Sequence, residues 1–137
     1  MIDVEEKVFA KVYAALREEY PTATDLDIQS EYVKSPASLP HVSIIESDNY
    51  HSYNTEDQSG TENYSVITYD VNVYTNEMAN KKAIARHIAD IVDKVMYSLN
   101  FQRIQMRPTQ NMLDATIYRI TARYRAVVSA DETLYRR

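Results

Sequence analysis

The sequence predicts an α+β fold, a mostly antiparallel sheet with two helices packed on one face. Three observations carry this expectation. Residues 64–75 alternate, with Ile67, Tyr69, Val71 and Val73 on one side and Thr68, Asp70 and Asn72 on the other. Residues 116–129 alternate in the same way. Tyr118, Ile120, Ala122, Tyr124, Ala126 and Val128 share a face, and Arg119, Thr121, Arg123 and Arg125 share the opposite one. A period of two with one oily side is the pattern of a strand that covers a core on one face only. The third observation is a pair of segments, 3–20 and roughly 80–99, whose apolar residues recur at helical spacing. One-sided strands and one-sided helices bury their apolar faces by stacking in layers.

The first helix places Val4, Val8, Val12, Ala15 and Leu16 on its inner face, with Phe9 at the margin. Glu6, Lys7, Lys11, Arg17 and Glu18 take the other side. Asp3 is placed to cap its start, with Glu6 three residues on as the reciprocal partner. Pro21 ends it after Tyr20, because a residue before proline is pushed out of the α region. Residues 22–25 are a polar turn. A short strand follows over 28–33, with Leu26 as an alternative start, and a second over 41–46. These two are expected to pair as a hairpin across the loop that holds Pro36, although that loop fixes no register.

Residues 47–62 are polar and carry the only glycine, Gly60. Two readings fit them: a long exposed loop, or strand extensions meeting at a hairpin tip near 57–60. Tyr50, Tyr53 and Tyr64 favour the second, a projecting β-arm placed to contact a neighbour. Asn76 or Asn80 caps the second helix. Its broad apolar face holds Ile84, Ile88, Ile91, Val92, Val95, Met96 and Leu99, thinned by Ala85 and Ala89. Asn100 serves as a left-handed terminator. Residues 101–107 then alternate weakly, Phe101, Arg103, Gln105 and Arg107 against Gln102, Ile104 and Met106, which suits an edge strand. Pro108 turns the chain, and 130–137 is a short tail. The crossover from strand 64–75 through the helix to strand 101–107 fits a parallel unit. If the two long strands are neighbours, Asp70 faces one of the arginines opposite.

Composition excludes several function classes. With no cysteine there is no disulfide, thiolate metal site or cysteine nucleophile. A single glycine leaves no glycine-rich phosphate loop and no nucleophile elbow. The net charge of −5 argues against a sequence-reading nucleic-acid binder but not against passive contact with DNA. No apolar run reaches membrane-spanning length, and the mixed N-terminus is no signal peptide, so no membrane partner is expected. A length of 137 residues suits one domain with its own core. Twelve tyrosines without a tryptophan fit surfaces where a ring has one buried and one wet end, subunit interfaces among them.

No catalytic constellation emerges. His41, His51 and His87 fall on a strand, a loop and a helix, and no two share metal-ligand spacing. Glu31, Glu46, Asp70 and Asp114 offer carboxylates, but nothing in the sequence pairs them across a cleft. The expected function is therefore non-enzymatic, with no catalytic residue, cofactor or metal. The row Arg119, Arg123 and Arg125 reads as a solvated face, as a contact to acids of a neighbouring subunit, or as a phosphate contact. Tyr118 and Tyr124 lie on the opposite face by parity, which weakens a base-stacking platform.

Several stretches carry a resemblance. They are Val33-Lys34-Ser35-Pro36-Ala37-Ser38-Leu39-Pro40-His41-Val42-Ser43-Ile44 with Glu46 and Asp48-Asn49-Tyr50, then Tyr69-Asp70-Val71-Asn72-Val73-Tyr74-Thr75-Asn76 with Lys81-Lys82. The last runs from Leu113-Asp114-Ala115-Thr116-Ile117-Tyr118-Arg119 through Ala122-Arg123-Tyr124-Arg125-Ala126-Val127-Val128. In their combined order, over essentially the whole chain, these resemble the small tail-completion or tail-terminator proteins of long-tailed bacteriophages and prophages.

The resemblance implies a virion structural protein at the tail–neck junction, assembled in the bacterial host cytoplasm. It implies a ring, usually sixfold, that caps the tail tube and meets the head connector while viral DNA passes through its lumen. The expected partners are copies of itself, the major tail tube protein and the head–tail connector. A neck protein on the connector side is the alternative, and a small nucleic-acid-binding module using Arg119, Arg123 and Arg125 is a more distant one. The interface candidates are Tyr50, Tyr53, Tyr64, Thr68, Asp70, Asn72, Arg119, Arg123 and Arg125.

Overall fold

The computed structural model describes residues 3–22, 26–31, 39–51, 64–76, 80–110, 117–129 and 134–135. In chain order these form α1 (Glu5–Glu19), β1 (Asp27–Gln29), β2 (His41–His51), β3 (Tyr64–Thr75), α2 (Lys81–Ser98), β4 (Gln102–Gln110), β5 (Tyr118–Ser129) and β6 (Leu134–Tyr135). The strands make one sheet in the order β1-β2-β3-β5-β4, with β6 continuing alongside β5. Every pairing is antiparallel except that of β1 with β2. Both helices pack on the same face, giving the expected α+β arrangement.

α1 forms where the sequence places it. The Asp3 carboxylate accepts a hydrogen bond from the Glu5 backbone N–H at 3.0 Å, satisfying one free donor of the first turn. Val8, Val12 and Leu16 make its buried stripe, and the helix ends before Pro21. Arg17 then ties the end of α1 to the start of β1. Its Nη1 donates to the carbonyls of Tyr20, Thr22 and Leu26 at 3.1, 2.9 and 2.8 Å.

β1 and β2 are parallel, not the hairpin that the sequence suggested. Asp27 lies opposite His41 and Gln29 opposite Ser43. A polar pair fixes this direction: the Asp27 N–H donates to the Pro40 carbonyl at 3.0 Å, and the Asp27 carboxylate meets His41 Nδ1 at 2.9 Å. Both contacts hold the first residue of β1 beside the first residue of β2.

β2 runs on through His51, past a bulge between Glu46 and Asp48, so the strand-extension reading holds for residues 47–51. Tyr53 and the expected hairpin tip lie outside the described residues. β3 and β4 are each antiparallel to β5, which lies between them. The α2 crossover is therefore parallel, as anticipated, with one strand inserted. The C-terminal tail contributes β6, whose Leu134 is buried opposite Val128.

The stripe that α2 buries is centred on Ala85, Ile88, Ala89, Val92 and Met96, with Ile84, Ile91, Val95 and Leu99 half-buried at its edges. The alanines let the helix sit close to the sheet, where longer side chains would hold it off. Asn80 stands at the cap position, without a side-chain cap bond. Asn100 has a φ of 66°, the left-handed turn expected of it, and the Phe101 N–H donates back to the Met96 carbonyl at 2.9 Å. Phe101 is fully buried and meets Tyr69 edge-on at 5.5 Å between ring centres.

A second bulge, between Arg103 and Gln105, changes the parity of β4. The simple alternation grouped Arg103 with Gln105 and Arg107. Instead Arg103 faces α2 and pairs with Asp93 at 3.4 Å, and Met106 packs on the core. Ile104, the extra residue, is left on the outside. The extra residue is also why the alternation of 101–107 looked weak.

Candidate functional site

The face of the sheet away from the helices is the expected contact surface, and the register assembles it row by row. Asp27, His41, Tyr74, Arg119 and Thr109 lie across it at one end. The next row is Ser43, Asn72, Thr121 and Arg107, then Ile45, Asp70, Arg123 and Gln105, then Asp48, Thr68, Arg125 and Gln102. Tyr50, Val66 and Val127 follow. Directly opposite residues of an antiparallel ladder share a face, which is what brings these side chains together.

The first two rows hold a polar network centred on Asn72. The Asn72 side-chain oxygen accepts from Arg119 Nε at 3.1 Å, Arg119 Nη2 at 2.8 Å and Thr121 Oγ1 at 3.0 Å. The Arg119 guanidinium also lies over the Tyr74 ring, 5.3 Å from its centre. Tyr74 in turn meets the His41 ring at 5.7 Å. Asn72, Tyr74, His41 and Ser43 are all buried. Asn72 and Arg119 were expected on an open contact surface; the structure places Asn72 inside this network because its amide is the acceptor that satisfies Arg119 and Thr121.

Asp27 and His41 are arranged as an orienting acid and a base, with Ser43 two residues further on. His41 Nε2 and Ser43 Oγ have no hydrogen-bond partner. Both residues are fully enclosed, so no substrate reaches them. Burial raises the Asp27 carboxyl, but hydrogen bonds from Gln29 and His41 and the charges of His41 and Arg17 outweigh it and hold the group below its ordinary value. This is a structural pair. Among the described residues no group of three His, Cys, Asp or Glu side chains is placed to hold a metal ion.

The outer rows are different. Arg123 grips Asp70 with two bonds, Nε to Oδ1 at 2.8 Å and Nη2 to Oδ2 at 3.3 Å. Their side chains are 48% and 24% exposed. The hydrogen bond and charge of Asp70 raise the Arg123 guanidinium further. Beside this bridge lies an open groove of about 360 Å³. Ser47, Asp48 and Tyr50 of β2, Thr68 of β3, Ile104 of β4, and Arg123 and Arg125 of β5 line it. Tyr50 is 49% and Ile104 45% exposed, so two apolar side chains flank the cations. Arg125 makes no ion pair among the described residues.

Of the candidates read from sequence, the structure gathers Tyr50, Thr68, Asp70, Arg123 and Arg125 at this groove. Tyr64 sits beyond it, half-buried opposite Ser129. Ser47, Asp48 and Ile104 were missed. Their places depend on the two bulges, and nothing in a period-two pattern marks where an extra residue enters. A second groove, about 330 Å³, lies between α2 and β4, with Asp93, Arg103 and Arg86 around Met106 and Tyr118. The Tyr124 hydroxyl donates to Asp93 there at 2.9 Å. Burial, together with Asp93, pushes that phenol well above its ordinary value.

The fold has a match among solved structures. A chain from the virion of a native gene transfer agent particle aligns with a TM-score of 0.63, covering 89% of this chain and 94% of that chain. The identity is 19%, so the likeness is one of fold. No protein-family model matches the chain, and no curated protein matches it. Among the described residues no helix is long and apolar enough to cross a membrane.

Proposed function

We propose that this chain is a structural protein of a phage-like virion, one that caps the tail tube and forms the head–tail joint as an oligomeric ring. The observation that carries the reading is the end-to-end fold likeness to a chain of the gene transfer agent virion, with nearly all of both chains aligned. The resemblance of the sequence to tail terminators points the same way and supplies the finer assignment. On this reading residues 1–137 act as one domain with the arm between β2 and β3 projecting. Its partners are further copies of itself in a hexamer, the major tail tube protein and the head–tail connector. DNA passes through the lumen without being read. The protein works at the tail–neck junction after assembly in the host cytoplasm, and it catalyses nothing.

A closed ring needs two different surfaces of one subunit to meet. The outer rows of the open sheet face are one such surface, with the Arg125 guanidinium, which has no ion pair among the described residues, and two exposed apolar side chains. The edge of β4, unpaired among the described residues, is a poorer one. It carries a bulge, Arg103, Arg107 and Pro108, the devices that protect an edge from added strands. A phosphate-reading row fits less well, because Arg119 is committed to Asn72 and Arg123 to Asp70.

Mass measurement in solution and negative-stain microscopy with purified tail tubes test the proposal. Rings, alone or on the tube end, are the expected result. A chain that stays monomeric and never adds to tubes overturns it. Rings that bind only the connector favour the neck alternative.

A further inference from the structure

The groove beside the Asp70–Arg123 bridge is built from two chemistries. Arg125, on its β5 side, presents a guanidinium with no ion-pair partner among the described residues. Ile104 and Tyr50 present apolar surface on either side of it. The acids nearby, Asp48 and Asp70, sit on the β2 and β3 side, and Asp70 is already occupied by Arg123. An incoming carboxylate is therefore favoured at Arg125 and repelled elsewhere, while an aromatic ring fits against Ile104. Covering an unpaired guanidinium costs free energy unless an acid comes with the cover.

One segment of this chain has that composition. Residues 52–63 contain Glu56, Asp57 and Glu62, no lysine or arginine, and one large aromatic residue, Tyr53. The segment is joined to the sheet at His51 and Tyr64, just beyond the groove. The β2–β3 ladder is still in register at His51 and Ser65, so the paired strands extend past the groove at that end. A neighbouring copy is thus better placed than the same copy to receive the segment. Twelve residues leaving and returning can reach roughly 20 Å, enough to cross to an adjacent subunit.

We infer that the acidic segment 52–63 of one copy docks in the Arg125 groove of the next copy. The inference rests on the ring proposed above and names the contact that closes it. It makes the contact heterologous, since the segment and the groove are different parts of the subunit.

The absence of cysteine gives a direct test. Full-length Thr68→Cys (groove) and Ser59→Cys (segment) chains are mixed in equal amounts and oxidised, and the products are weighed by mass spectrometry. The expected product is the mixed dimer, in roughly tenfold excess over either homodimer, which corresponds to about 1.4 kcal/mol of preference. Adding Arg125→Glu to the Thr68→Cys chain should remove that excess. Adding Glu56→Lys and Asp57→Lys to the Ser59→Cys partner of this reversed chain should restore it. No preference for the mixed dimer, or a preference that survives Arg125→Glu, overturns the inference. A chain carrying both cysteines that forms only an internal bond also overturns it, by placing the segment on its own groove. Rings seen by microscopy without the mixed dimer sink this contact alone. The mixed dimer without rings or tube binding sinks the ring instead.

Discussion

Glu46 stands directly opposite Tyr69 across the β2–β3 ladder, with one carboxylate oxygen and the phenol hydroxyl both buried and neither hydrogen-bonded. Burial, then the charges of Asp3 and Glu5 at the start of α1, push the Glu46 carboxyl up to about 7. Burial, then the charge of Glu46 itself and those of Glu5 and Asp3, raise the Tyr69 phenol. The folded chain therefore holds a proton on Glu46 that the unfolded chain releases near its ordinary value of 4.5. Between those two values stability falls as pH rises, because the folded state binds more protons. The loss should be on the order of 2 kcal/mol, trimmed by solvent at the partly exposed edge of the group. Glu46→Gln should flatten this slope and raise the melting temperature at pH 8 by about 3–6 °C. Melting curves from pH 4.5 to 8 check it; a wild-type chain steadily gaining stability over that range contradicts it.

The Asp70–Arg123 bridge is partly exposed, so its worth to folding is small. Arg123→Ala should cost less than about 1 kcal/mol in denaturant titration. Arg123→Glu puts two acids opposite each other and should cost about 1 kcal/mol, leaving a folded chain. If the outer face is the ring contact, that same folded variant should fail to assemble. Loss of folding in Arg123→Glu would make the bridge part of the fold instead.

Asp27 should contribute to the acid limit of stability. The lowered Asp27 carboxyl adds stability that is present above its unfolded value near 3.8 and disappears as pH falls through its folded value. Asp27→Asn should be less stable at neutral pH by about 1–3 kcal/mol, since it leaves the buried imidazole with a weaker partner. It should also lose part of the acid transition. Equal acid sensitivity in wild type and variant would show that other carboxylates govern that limb.

Asn100 separates backbone from side chain. Its left-handed turn suits glycine as well, but its side-chain amide also donates to the Leu134 carbonyl at 3.1 Å. Asn100→Ala should cost about 1–2 kcal/mol, from the φ penalty plus the lost bond. Asn100→Gly should keep the turn and cost only the bond, with faster hydrogen exchange across β6. The two variants behaving alike would deny the side-chain tie.

Much of this fold is legible in the sequence because most of it is regular. The inner faces of β3 and β5 follow from alternation alone, and parity placed Asp70 on the same side as the arginines, where Arg123 takes it. The departures have local causes. β1 runs parallel to β2 because of Asp27 and His41, and no periodic signal records a contact between two single side chains. Ile104 and Ser47 enter the surface through bulges, which shift parity without changing composition. Asn72 reads from the sequence as part of an open contact surface because burial by a hydrogen-bond network leaves no hydrophobic mark. The groove combines the two cases, Arg125 legible and Ile104 hidden.

The central ladder has a kinetic consequence. Asp70 and Arg123 are neighbours in space but 53 residues apart in the chain. The pairing of β3 with β5 must therefore wait for a long loop to close, one that contains α2 and β4. Chains built around such distant pairings fold on the order of milliseconds to seconds rather than microseconds. During that delay the apolar sides of β3 and α2 exist without the strand that completes their cover. The rows of the open sheet face cannot be assembled earlier, since each takes side chains from β3 and β5 together. If the outer face is the ring contact, subunit recruitment is restricted to chains that have finished folding.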